Sequence, residues 1–413
     1  MARFKLMTSE LSPFSLKIQS CLSYVGHEHK SLPAQGSKFE NSWQAIKVEI
    51  AKRRGTIYKY PKMTELDEYP GVPFLIEPGG RVQYDSSAIS RWLDTQHNPR
   101  KNNKLWPQDP NLAFIAQLID EAMDDFAINV VHHMRWWHCA ASNTAGKRLF
   151  KEFSKFPLFA MKKGFPTWFS KRQVRRLPYL LSMPPQDYKQ DVADYLKAPL
   201  KEGWPQTHEL LDQCWNDYIL ALENVLTKQP YLLGGSFTIA DASVFGMFGM
   251  LLDDPEADQE MFKRTPVLHS WLIKIKNNQH LNNINNEKLK LSEDLKPLIS
   301  IILNTFVPLM KQNEAAYLLH KSQGETLFNE TAWRKDRALY TGDIMGHPFK
   351  SVCKTFTVQV WRDILKNWHD LGIENSLTLM SYLPQFREFK GKRFSINNPA
   401  TVSVAATSSR PAA

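Results

Sequence analysis

Cysteine is scarce in this chain. There are four in 413 residues, Cys21, Cys139, Cys214 and Cys353, far apart and with no C-x-x-C pair. That spacing argues against a disulfide framework and against a cysteine zinc site, and it favours a reducing compartment. No apolar run is long enough to span a bilayer. The N-terminal MARFKLMTSELSPF has no signal-peptide core and reads as a strand, so a cytoplasmic protein is expected. No internal repeat is present. Acids are few between residues 146 and 201, where Lys and Arg run from Lys147 to Arg176 and carry much of the net charge of +10. Such a patch can meet nucleic acid, an anionic membrane or acidic substrates. A solvated surface is the commoner case, and nucleic acid is not an expected partner.

What is present is core-forming material. The chain is 43% hydrophobic, with 12 Trp and 23 Phe, and each aromatic buries a large area. The length implies two or three domains. Residues 69–94, YPGVPFLIEPGGRVQYDSSAISRWLD, organise the N-terminal part. A Gly-Val-Pro turn leads into Phe74, Leu75 and Ile76. Pro78-Gly79-Gly80 turns the chain, and Val82 and Tyr84 continue as a second strand, which makes a β-hairpin. Asp85 or Ser86 stands at a helix N-cap. Ile89, Trp92 and Leu93 give the following helix one apolar face.

Before this stretch, residues 3–7 read as a strand and residues 15–24 as a helix with Ile18, Cys21, Leu22 and Val25 inward. Pro13 suits its first turn and Gly26 its C-terminal stop. Residues 28–32 suggest a second strand. Residues 33–68 contain an amphipathic segment, Trp43, Ile46 and Ile50, and a basic cluster, Lys52-Arg53-Arg54. A linker at 97–110 leads to a helix with Phe114, Leu118, Ala122, Phe126 and Val130 on one face and Asp120, Glu121, Asp124 and Asp125 off it. His132, His133, His138 and Cys139 cluster near its end. A metal could use their i,i+5 or i,i+6 spacing, but those spacings do not share a face cleanly, and no metal is expected there. Trp136 and Trp137 suit a core or an apolar substrate pocket. Residues 204–226 are helical again, with Leu210, Leu211, Cys214, Tyr218, Leu222 and Val225 inward. In PYLLGGSFTIADASVFGMFGM, Thr238 and Asp241 have capping-box spacing, and Ile239, Ala242, Phe245 and Phe248 begin a buried helix.

Three motifs together resemble the glutathione transferase family: Ser-Pro-Phe at a strand-to-helix junction, strand–Val-Pro–strand–acidic-Ser–helix, and LLG…T-I-A-D. Pro266, Leu268 and Trp271 match a further family pattern, P-x-L-x-x-W. The resemblance covers roughly residues 2–278 and is that of a larger bacterial-type member. It implies an α/β thioredoxin-like N-terminal domain (1–97) and an all-α C-terminal domain (98–290) with a basic insert at about 146–201. An α+β extension (291–396) and a disordered tail (397–413) follow. In the extension, residues 295–310 and 352–371 read as helical and 326–328 and 338–340 as strands.

The same resemblance implies site residues. The residue before Pro-Phe, Ser12, meets the glutathione sulfur, with Ser9 and Ser15 as rivals. Val72 and a cis Pro73 present backbone to the cysteinyl part. Asp85 and Ser86 hold the γ-glutamyl end, and Phe14 stands with the glutathione-binding residues. From the region that meets the glycyl end in other members, nothing carries over. Glutathione is then a co-substrate whose thiolate attacks an electrophilic, apolar second substrate, and a homodimer is expected. A free thiol titrates near 8.5, so lowering its pKa by two units takes about 2.7 kcal/mol. A hydroxyl hydrogen bond to a charge supplies roughly 1.5–3 kcal/mol and a helix N-terminus about 0.3–1 kcal/mol. The alternative is a non-catalytic binding or assembly protein on the same fold. A thiol-transferase would normally place Cys at position 12.

Overall fold

Short apolar runs separated by turns become a four-stranded sheet. The computed structural model describes residues 4–57, 71–96, 98–100, 103–156, 164–185, 187–188, 190–281 and 289–389. In chain order the first elements are β1 (Phe4–Met7), α1 (Pro13–Val25), β2 (His29–Leu32), α2 (Lys38–Arg54), β3 (Phe74–Ile76), β4 (Val82–Tyr84) and α3 (Ser86–Thr95). The strand order is β2–β1–β3–β4, with β1 and β2 parallel and the other pairs antiparallel. Leu6 pairs with Leu75. Side chains alternate across a strand, so these two face Ile18, Cys21, Leu22 and Val25 of α1 and Ile89 and Leu93 of α3. Phe74, Ile76 and Val82 take the other face, against Val48 and Ala51 of α2. Gly26 stops α1 in the left-handed region, φ 83°.

The apolar stripe of α2 does not face this core. Trp43, Ile46 and Ile50 are 49%, 51% and 42% exposed. The inward face is held instead by Val48, Ala51 and the polar Asn41, which donates to the carbonyls of Pro33 and Lys155. Residues 58–70, in the long connection before Val72, lie outside the described residues, as do the basic insert's Lys162 and Lys163 and the tail at 397–413.

The next helix runs from Pro110 to His138 in four sections: α4 (Pro110–Ala122), a π-helical turn (Met123–Ala127), α5 (Ile128–His133) and a second π-helical turn (Met134–His138). Its expected face, Phe114 through Val130, is buried. Then come α6 (Ala145–Phe153), α7 (Phe165–Arg175), α8 (His208–Lys228), α9 (Ile239–Gly249), α10 (Pro255–Arg264) and α11 (Pro266–Lys276). Thr238 and Asp241 form the capping box of α9, and Asp241 also accepts from Leu232 N at 2.8 Å. Trp271 Nε1 donates to Pro230 O at 2.9 Å.

α9 is buried along its whole length and packs on α1. A Cβ at Gly246 would stand 2.5 Å from the Pro13 carbonyl oxygen. Glycine here lets the helical part approach the start of α1, where Ser12 sits.

The basic insert, read as a solvated surface, also packs inward. Trp136, Ala145, Val174, Leu177, Val192 and Leu196 form an apolar cluster with Leu11 against it. Arg176 pairs with Glu330 at 3.2 Å and Lys201 with Asp336 at 2.7 Å. The insert therefore bridges the Ser12 loop and the C-terminal extension.

The extension contains α12 (Lys296–Asn304), α13 (Phe306–Ser322), α14 (Glu330–Arg334), a hairpin of β5 (Leu339–Ile344) and β6 (His347–Val352), α15 (Thr355–Asp370) and α16 (Gly372–Leu379). Residues 326–328 are not a strand. The second expected strand is β5, which starts at Leu339, and its partner β6 was not anticipated. The turn is Met345-Gly346, both at positive φ. Methionine carries no turn signal, so the sequence hid it. Trp368 and Phe386 pack on Phe114 of α4 with ring centroids 5.3 and 5.6 Å away. The extension thus shares the core of the helical part. All four cysteines are buried and none is disulfide-linked.

Candidate functional site

Ser12 is the N-cap of α1. Its hydroxyl accepts from Ser15 N at 3.3 Å and donates to Val72 O at 3.3 Å. Two expected site residues 60 positions apart are thereby joined, and the Val72–Pro73 bond is cis. Ser12 and Val72 are half-buried, and Pro73 is buried. Phe14 is half-buried and packs against the main core.

The rival serines are committed elsewhere. Ser15 is fully buried, and its Oγ accepts from Ser9 N at 3.2 Å. Ser9 is 5% exposed, and its Oγ donates to Glu152 of α6 at 2.8 Å. Burial pushes the Glu152 carboxyl up to about 7 against the pull of that hydrogen bond. Of the three, Ser12 alone combines partial exposure with a helix N-terminus.

Asp85 caps α3, accepting from Ala88 N at 2.7 Å. Its backbone has φ 73° and ψ 121°, a combination that costs a non-glycine residue on the order of 1–3 kcal/mol. Burial holds its carboxyl above the ordinary value, opposed by backbone hydrogen bonds from Ala88 and Ser87 and by the charge of Lys17. Ser86 is buried, and its hydroxyl donates to Asp124 at 3.3 Å.

Behind these residues lies a feature that the sequence reading did not find. Lys17 of α1 is 1% exposed and pairs with Asp120 at 2.5 Å and Asp124 at 2.8 Å. It also donates to Ser87 Oγ at 3.1 Å, while Ser87 donates to Asp120 at 2.8 Å. Ser243 of α9 donates to Asp120 as well. Burial pushes the Asp124 carboxyl up to about 7, with the Lys17 charge opposing it. Burial also drives Lys17 itself toward losing its proton, and the two aspartates more than reverse that, so its pKa lies above the usual lysine value. The signal available in the sequence was a lysine between Pro13 and Ile18 on a helix whose other residues demand burial. Asp120 and Asp124 do lie off the apolar face of α4, but they turn to Lys17 rather than to water.

A second ionic group ties the insert to the Ser12 loop. Arg135 Nε donates to Asp254 at 2.6 Å, and its Nη1 donates to Leu11 O, next to Ser12, at 3.3 Å. Arg148 of α6 joins the same aspartate. The loop is thus held from one side by the helix spanning 110–138 and from another by α6. The arrangement offers a half-buried hydroxyl at a helix N-terminus, a cis-proline backbone beside it, and a strained acidic cap within the same part of the fold.

Residues 187–288 match the family model described as glutathione S-transferase, C-terminal domain. No curated protein matches the chain. Among solved structures, it is similar to a β-etherase from Sphingobium sp. strain SYK-6, with 19% identity over 68% of this chain and 98% of that one and a TM-score of 0.42. It is also similar to a glutathione S-transferase from Methylobacterium radiotolerans in complex with glutathione sulfonate, with 15% identity, 70% and 99% coverage and a TM-score of 0.35. A glutathione S-transferase from Rhodospirillum rubrum shares 13% identity, with 71% and 99% coverage and a TM-score of 0.36. Residues 187–288 thus carry a glutathione S-transferase C-terminal domain, and a four-stranded mixed sheet of thioredoxin-like order precedes it in the chain.

Proposed function

We propose that the chain binds glutathione along the Ser12–Val72–Asp85 side of the N-terminal sheet and uses its thiolate on an apolar electrophile. The observation that carries this reading is Asp85. A disfavoured backbone at a capped, half-buried acid is retained only where the surroundings impose it, and such positions gather at ligand sites. In the proposal Asp85 receives the α-amino group of the γ-glutamyl end, with Ser86 beside it. The Val72 backbone pairs with the cysteinyl part, Phe14 packs nearby, and Ser12 meets the sulfur.

Ser12 has one proton to give, and it is directed at Val72 O. That bond, at 3.3 Å, is long for O–H···O, whose usual length is about 2.7–2.8 Å. Moving the proton to a thiolate therefore gives up little and gains a charge-assisted bond. The same rotation frees the Val72 carbonyl. The α1 N-terminus adds to the stabilisation of the anion, and no base is required at the site.

The runner-up, a binding or assembly protein on this fold, has one observation in its favour. The Ser86 hydroxyl is already directed at Asp124, so Ser86 must be released before it can serve a ligand. Cytoplasmic location and a homodimer belong to the proposal. Among the described residues no helix is long and apolar enough to cross a membrane.

Calorimetric titration with glutathione, run beside a conjugation assay with a generic aromatic electrophile, tests the reading. Binding with turnover supports the enzyme. Binding without turnover on a panel of electrophiles favours the runner-up, and absence of binding overturns both assignments of the site.

A further inference from the structure

Away from the site described above, three histidines and one aspartate converge between the end of the 110–138 helix and the start of α8. They are His133, His138, His208 and Asp212, and one ligand atom from each lies within 4.8 Å of every other. His133 Nε2 is 2.9 Å from His208 Nδ1 and 3.8 Å from Asp212 Oδ1. His138 Nε2 is 2.6 Å from Asp212 Oδ1, and His208 Nε2 is 3.1 Å from Asp212 Oδ2.

From these contacts we infer that His133, His138, His208 and Asp212 form a tetrahedral site for a zinc-class divalent transition metal. Metal–nitrogen bonds near 2.0–2.1 Å place tetrahedral ligand atoms about 3.3 Å apart; from Asp212 Oδ1, His138 Nε2 at 2.6 Å and His133 Nε2 at 3.8 Å lie on either side of that value, and His208 supplies one of its two nitrogens within 4.8 Å of the rest. Imidazole nitrogen with one carboxylate suits zinc and its neighbours and does not suit the hard ions magnesium and calcium.

Backbone geometry explains how an unpromising spacing becomes a site. On an α-helix, residues i and i+5 diverge. The Met134–His138 turn is π-helical, and i→i+5 hydrogen bonding stacks residue i+5 over residue i. That brings His138 to the side of His133. His208 and Asp212 are i,i+4 on α8 and share its face without help. Each helix thus presents one pair, H-x₄-H and H-x₃-D, to the other.

The surroundings fit as well. The other ring nitrogen of His133, Nδ1, is 2.6 Å from the buried Ser182 hydroxyl. When His133 ligates through Nε2, Nδ1–H donates to Ser182 and fixes the ring, the usual support for a metal-bound imidazole. His133 is sealed at 2% side-chain exposure, while His138, His208 and Asp212 stand at 28%, 18% and 34%, so a hydrated ion has a way in. Trp137 packs against His208 with ring centroids 5.3 Å apart, and Tyr188 packs against Trp137 at 4.2 Å.

Four protein ligands close the coordination sphere, which marks a structural ion rather than a catalytic one. It clasps the second π-helical turn to α8. Two residues on from His133, Arg135 holds the Leu11 carbonyl beside Ser12, so the clasp braces the proposed glutathione loop without touching it.

The test uses untagged, full-length protein stripped with chelator and titrated calorimetrically with ZnCl₂, with MgCl₂ as control. One zinc per chain is expected, with a melting temperature raised by several degrees at saturating zinc and no response to magnesium. Cobalt(II) in place of zinc should give the intense visible bands of tetrahedral coordination. His208→Ala and, at the exposed edge, Asp212→Asn should each weaken zinc binding at least tenfold. His138→Gln serves as a third variant if either melts early without metal. Absence of stoichiometric uptake by the wild type overturns the proposal and leaves a hydrogen-bonded clasp. Uptake that persists unchanged in all three variants overturns it too.

Discussion

Lys17→Met removes a charge from the centre of the molecule while keeping the length and apolar stem of the side chain. The variant leaves Asp120, fully buried, and Asp124 without their cation, since Lys17 bridges both at 2.5 and 2.8 Å. Removing one partner of a buried ion pair costs about 3–5 kcal/mol. With an unfolding entropy near 2.1 cal/mol/K per residue, a chain of 413 residues unfolding as one unit melts roughly 4–6 °C lower. The pH dependence has a definite sign. The Asp124 carboxyl is pushed up to about 7 by burial even with Lys17 present. A carboxyl raised in the folded state adds stability below its unfolded value, and that stability is lost as pH rises through the folded value. The variant, lacking Lys17, should therefore lie furthest below the wild type at pH 8 and recover part of the difference toward pH 5. Adding Asp120→Asn and Asp124→Asn should restore much of the loss at pH 8. Scanning calorimetry of the wild type, Lys17→Met and the triple variant at both pH values decides it. A Lys17→Met variant that melts with the wild type at pH 8 would refute the reasoning that this cluster joins α1 to α4.

Gly246→Ala places a Cβ 2.5 Å from the Pro13 carbonyl; it should cost about 1–3 kcal/mol by overpacking, despite better helix propensity, and weaken glutathione binding through the displaced α1 start, as urea melts and calorimetry would show. Asp85→Ala and Asp85→Gly should both lose glutathione affinity but diverge in stability. Alanine forfeits the cap, worth about 1 kcal/mol, and keeps the strained φ of 73°, whereas glycine relieves it and should melt at or above the alanine variant. Glu152, raised to about 7 by burial, should make the wild type lose stability as pH rises from 5 to 8. Glu152→Gln keeps an acceptor for Ser9 and should flatten that slope by roughly 1–3 kcal/mol, read from urea midpoints across the range.

Much of the N-terminal sheet was legible because its signals are local. Turn residues bracket Phe74–Ile76 and Val82–Tyr84, Pro13 and Gly26 bound α1, and the Thr238–Asp241 box starts α9. Residues that meet across the chain were harder to read. Lys17 reads as a surface lysine until α4 and the π-helical turn after it deliver Asp120 and Asp124, and no spacing within either helix announces that pair. The Ser9–Glu152 bond spans 143 positions, so the role of α6 in holding the Ser12 loop had no local trace. Hydrogen-bond pattern misled as well. An α-helical period separates His133 from His138, and only the π-helical turn reunites them. In α2 the apolar stripe suggested the inward face, but that face is set by Asn41, Val48 and Ala51. The hairpin of β5 and β6 escaped because its turn uses methionine where asparagine or aspartate would have signalled it.

If Ser12 stabilises a glutathione thiolate, as proposed, the ultraviolet thiolate band of protein-bound glutathione, titrated against pH, reports it. The bound thiol should titrate one to two units below its free value near 8.5 in the wild type, roughly the effect of one charge-assisted hydrogen bond. In Ser12→Ala it should return about one unit or more toward 8.5, with glutathione affinity changed only modestly. A bound thiol that titrates at its free value in the wild type, or one whose lowered value survives Ser12→Ala intact, would rule out that role for Ser12.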